Sequence, residues 1–61
     1  MKREEVVKEI AIRFGWSQRF ASEYLVELRN GFSKYKAFEM AKRSFWLSPM
    51  DVPKFNPFDK E

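Results

Sequence analysis

Cysteine and histidine are both absent from the chain. Without cysteine no disulfide staples the fold and no thiolate holds a metal. Without histidine as well, a zinc site and any histidine-based acid–base or nucleophilic arrangement are excluded. Carboxylates alone could still take up a cation, but no DxDxDG-like loop is present. Glycine is scarce too. Gly15 and Gly31 are the two present, and neither belongs to a phosphate-cradling loop. A domain of 61 residues also leaves little room for a pocket of the usual ~300 Å³ or more. No enzyme, cofactor or bound metal is therefore expected. No apolar run approaches the ~20 residues that span a bilayer. The opening Met1-Lys2-Arg3-Glu4-Glu5 is too charged to begin a signal peptide. The expectation is a soluble cytoplasmic protein without a membrane partner.

Aromatics, by contrast, are plentiful: seven Phe, two Trp and two Tyr. A chain this short forms one small core and buries only about 60% of its unfolded surface, so that core should be dense in rings. The most telling pattern is a phrase used twice. Gly15-Trp16-Ser17 is followed by Ala21-x-Glu23, and Gly31-Phe32-Ser33 by Ala37-x-Glu39. Gly accepts the left-handed conformation just past a helix end. Ser caps the next helix through its hydroxyl. The aromatic between them sits before the cap and can fold over the small Ala four residues into the helix, a weak hydrophobic staple. Neither start has a full capping box, because Phe20 and Lys36 occupy the third helical position.

Two such joints predict an all-α, compact three-helix bundle over residues 1–47, with helices at about 3–14, 18–29 and 34–47. In the first helix Val6, Val7, Ile10, Ala11 and Phe14 share a stripe. Ile12 points away from it. Glu4–Lys8 and Glu9–Arg13 are i,i+4 pairs on the other face, each worth ~0.2–0.5 kcal/mol. In the second helix Phe20, Ala21, Tyr24, Leu25 and Leu28 form the buried stripe, with Val26 off it. In the third, Ala37, Phe38, Ala41, Ser44 and Phe45 face inward beside Met40 and Leu47, and Ser48-Pro49 halts the helix.

Residues 48–61 hold all three prolines and read as an extended tail, docked in part. Met50 to Phe55 is expected to lie back over the helices and add core area. A peptide arm reaching a partner is the alternative. Asn56-Pro57-Phe58 matches a short endocytic adaptor-binding motif, although a match of three residues is close to chance and the tripeptide reads more simply as a turn.

The net charge of +3 is unevenly spread. Residues 31–47 carry four basic side chains, Lys34, Lys36, Lys42 and Arg43, against the single Glu39. On the outside of the third helix a second stripe runs Tyr35, Glu39, Lys42, Trp46, at spacings of four, three and four. An aromatic at each end of a polar stripe is not needed to close a three-helix core, which makes this stripe a candidate contact surface. The competing expectation is that the tail covers Trp46.

From Glu9 to Leu25 the chain resembles the helix-turn-helix DNA-binding domains of the phage-repressor type. Ala11 stands four before the turn Gly15, Ser17 caps the following helix, and Ala21 and Tyr24 fill the apolar anchors four and seven beyond it. Glu27-x-x-Asn30-Gly31 and Phe38-Glu39-Met40-Ala41-Lys42 echo the family's continuation. The resemblance implies that Gln18, Arg19 and Ser22 face base edges, where Gln bonds adenine and Arg bonds guanine. It also implies phosphate contacts from Lys34, Lys36 and the backbone N–H groups at the start of helices, and Lys42 and Arg43 of the basic third helix complete the expected DNA-binding residues. A lone small domain makes few contacts, so a homodimer or an added partner is implied.

A second resemblance covers the whole bundle. Phe14-Gly15-Trp16 sits where ubiquitin-associated domains carry Met-Gly-Phe or Met-Gly-Tyr, with Asn30-Gly31 like their next turn and Ala37 to Ala41 like their third helix. That resemblance implies protein binding through the loop after helix one and through helix three, near Gly15, Trp16 and Met40. Two functions are therefore expected. One is a small helix-turn-helix-like DNA-binding regulator of transcription. The alternative is a non-enzymatic protein-binding module, an inhibitor or adaptor, acting through Trp16, Tyr35, Glu39, Lys42 and Trp46. The format of a small single domain suggests a phage or mobile-element accessory protein.

Overall fold

Both joints form as their residues dictate. In the computed structural model, which describes residues 2–59, Gly15 adopts φ 73° and Gly31 φ 100°. The N–H groups of Gly15 and Trp16 donate to the Ala11 carbonyl, closing the first helix, α1 (Arg3–Phe14). Ser17 then turns extended, and its Oγ accepts from the Phe20 N–H at 3.2 Å to start α2 (Gln18–Arg29). At the second joint the Gly31 N–H donates to Leu28 O and the Phe32 N–H to Glu27 O, the paired bonds of a Schellman closure. Ser33 Oγ accepts from the Lys36 N–H at 3.2 Å and opens α3 (Lys34–Arg43). The protein is thus an all-α three-helix bundle, in which α2 packs against both α1 and α3.

The core lies between the helices and is built on rings. Phe20 and Phe38 are fully buried and meet edge-on at 5.2 Å. Ala11, Ala21, Ala37 and Ala41 are buried beside them, small enough to let the backbones approach. At the centre is Trp16, 9% exposed. It stacks on Phe14 at 4.6 Å and lies edge-on to Phe20 and Tyr24, both at 5.2 Å. Such geometries add to what ring burial alone contributes. Among the described residues no buried polar side-chain atom lacks a partner.

Several expectations are corrected. α3 ends at Arg43 rather than Leu47. From Ser44 onward the bonds tighten to i→i−3, with Ser44 N–H donating to Ala41 O and Phe45 N–H to Lys42 O. This tightening buries Phe45, while Ser44, expected inside, is exposed along with Trp46 and Leu47. The tail is not extended throughout, since Pro49–Asp51 makes one 3-10 turn. The side chains of Met50 and Phe55 add no core area; they are 97% and 82% exposed. Phe58 docks instead, stacking on Tyr24 at 5.6 Å and meeting Phe14 edge-on at 5.5 Å, with Val52 packed against the same core. The α1 pairs Glu4–Lys8 and Glu9–Arg13 are not closed. Exposed long side chains lose about as much entropy as such contacts return, and among the described residues the ion pair that forms is Lys42–Glu39 at 3.7 Å.

Candidate binding surface

The residues expected to touch DNA fall into separate groups. Gln18 and Arg19 are exposed at the start of α2, where the Ser17 cap leaves the first turn facing outward. With Ser22 they line a groove between the start of α1 and the turn after α3. Ser22 Oγ accepts from Arg3 Nη2 at 3.3 Å, and the Arg19 guanidinium sits 6.0 Å from the centre of the Phe45 ring. Lys36, Lys42 and Arg43 lie together on the outer face of α3. Lys34 borders a third depression, beside Leu28 and Phe58. The seven residues therefore do not converge on one surface.

The residues expected to touch a protein cluster better, with one exception. Trp16 leaves the set because it is buried at the centre of the ring cluster. Tyr35, Glu39 and Lys42 share the outer face of α3. Trp46, 76% exposed, follows that face just beyond the helix, and the tail does not cover it. Glu39 accepts from Lys42 and from Asn56 Nδ2 at 3.1 Å, and the same Asn56 nitrogen donates to the Tyr35 carbonyl at 3.4 Å. Asn56 thereby ties the tail back to the start of α3, so the segment from Ser48 to Asn56 returns along the helix it has just left. Its Oδ1 accepts from the Phe58 N–H at 2.9 Å, turning Phe58 inward. Asn56-Pro57-Phe58 is accordingly a turn, and its Phe is not available as an adaptor ligand.

Three further large apolar residues follow Trp46 in the chain and are exposed where burial was expected. Leu47 is 76% exposed, and Met50 and Phe55 are more so. Their apolar character reads in sequence as core. Nothing local reveals that Phe45 and Phe58 fill the places they would otherwise take. With Trp46 they put four large apolar side chains into solvent within ten residues, a concentration of exposed apolar area of the kind that marks interaction sites. No helix of the described residues is long and apolar enough to cross a membrane. No family model matches the chain, and neither a curated protein nor a solved structure matches it.

Proposed function

We propose that this protein is a non-enzymatic protein-binding module, an inhibitor or adaptor, whose docking surface is the outer face of α3 with the segment that follows it. The observation that carries this is the exposure of Trp46 at 76%, beside Leu47 and ahead of Met50 and Phe55. Trp is among the residues most enriched at energetic centres of interfaces. Holding it in water in a domain this small suits a surface that is covered in use.

A DNA-binding role is the second reading. It is supported by Gln18 and Arg19, exposed at the start of α2 in a groove that Arg3 also lines. On that reading the protein is a helix-turn-helix-like regulator, acting as a homodimer or with a partner.

The two are separated by affinity capture from the source cells with wild-type and Trp46→Ala baits, run beside a titration of random-sequence duplex DNA at ~50 and ~200 mM salt. A protein held by the wild type and lost from Trp46→Ala supports the module. Capture that ignores Trp46, together with DNA binding that collapses at the higher salt and depends on Arg19, replaces it with the DNA role.

A further inference from the structure

The exposed apolar side chains do not stand in neutral surroundings. Residues 34–55 hold five basic residues against two acidic ones, whereas the remainder of the chain carries seven of each. The whole formal excess of +3 therefore lies on α3 and the segment that returns along it. Of the two carboxylates there, Glu39 is engaged by Lys42 and Asn56, and Asp51 is half-buried. Lys36, Arg43 and Lys54 are exposed, and none of them closes an ion pair within the described residues. The outer face of α3 thus carries Tyr35 beside Lys36 and Arg43, unpaired among the described residues, and the exposed Trp46 and Leu47 follow just beyond the end of the helix.

We infer that this face takes an acidic, apolar protein segment: one that seats large apolar side chains against Trp46, Leu47 and Tyr35 and sets carboxylates against Lys36 and Arg43, the cations of the face that no carboxylate of the described residues already holds. The assignment rests on the protein-binding role proposed above and adds the partner's chemistry. Size agrees with it. Trp46, Leu47 and the open part of Tyr35 leave on the order of 400 Å² of side chain in water. An ordinary stable interface uses about 800 Å² per partner, of which a little over half is apolar. Charge selects the occupant. In a two-fold contact between copies the same patch meets itself, which brings two sets of Lys36, Lys42 and Arg43 into one interface, where Glu39 is already engaged and Asp51 is half-buried. A partner of opposite sign removes that repulsion and is steered to the face from a distance.

The test uses the full chain and a random peptide library displayed on phage, each peptide of about 16 residues, enough for four helical turns. Enriched peptides are expected to be acidic and to carry at least two large apolar residues. Their affinity should fall about tenfold or more on Trp46→Ala and again on Lys36→Glu with Arg43→Glu, and should weaken as salt is raised. An unchanged thermal midpoint in each variant excludes misfolding as the cause. Enriched peptides that are neutral or basic yet still need Trp46 overturn the acidic partner while leaving a protein-binding role. Peptides that ignore Trp46, or no enrichment over a blank support, overturn both. A dimer that Trp46→Ala disperses in sedimentation equilibrium assigns the face to a second copy. Random-sequence duplex DNA that displaces the enriched peptides assigns it to nucleic acid. Either result overturns the proposal.

Discussion

Trp16 and Trp46 are the same side chain in opposite situations, and substitution should separate them. Trp16 lies among Phe14, Phe20, Tyr24, Phe38 and Phe58, so Trp16→Ala is expected to cost about 3–5 kcal/mol and to abolish a cooperative melt followed by circular dichroism. Trp46→Ala removes an exposed side chain and should shift stability by no more than ~0.5 kcal/mol in the same experiment. Gly15→Ala tests the joint. An added Cβ there meets nothing within 4 Å, so its whole effect comes from holding φ at 73°. A loss of about 1–2 kcal/mol is expected, seen as a lower urea midpoint with an unchanged slope. The glycines and serine caps were legible in the sequence because each acts on backbone within a few residues of itself. The burial of Trp16 was not, because it depends on Phe38 and Phe58, which only the folded chain brings to it.

At the scale of elements, the three helices follow from their joints, and α1 and α2 match the expected limits at both ends. The end of α3 was harder to read. Apolar spacing continues through Phe45 and Leu47, so periodicity alone carries the helix on to Ser48, whereas the chain tightens after Arg43. The tail was legible as partly docked but not in which residues dock. Met50, Val52, Phe55 and Phe58 are equally apolar in sequence, and the choice falls to Asn56, whose two hydrogen bonds to α3 fix where the chain returns. Phe58→Ala is therefore expected to destabilise by about 3 kcal/mol and Asn56→Ala by about 1 kcal/mol. Phe55→Ser should leave the thermal midpoint within a few degrees of wild type, because a change of ~0.5 kcal/mol moves it little in a domain of this size. A large loss at Phe55 with none at Phe58 would show the tail docked the other way round.

For the whole molecule, burial and charge divide the surface into unequal parts. One region, α3 and the returning tail, holds both the net positive charge and the exposed Trp46, Leu47, Met50 and Phe55. The outer stripe Tyr35–Glu39–Lys42–Trp46 was visible as a pattern in the sequence. Its openness was not, because the tail could have lain across Trp46 and instead passes to Phe58. The central claim, that this open face is where a protein docks, is tested most directly by fluorine NMR of the chain labelled with 5-fluorotryptophan. Two resonances are expected, assigned with a Trp46→Phe variant. In the isolated protein Trp46 should respond fully to exchange of H₂O for D₂O and Trp16 should not. Addition of a partner captured through this face should abolish the Trp46 response and leave Trp16 unmoved. A Trp46 resonance that is already shielded in the isolated protein, or that stays open to solvent in the complex, would contradict the account.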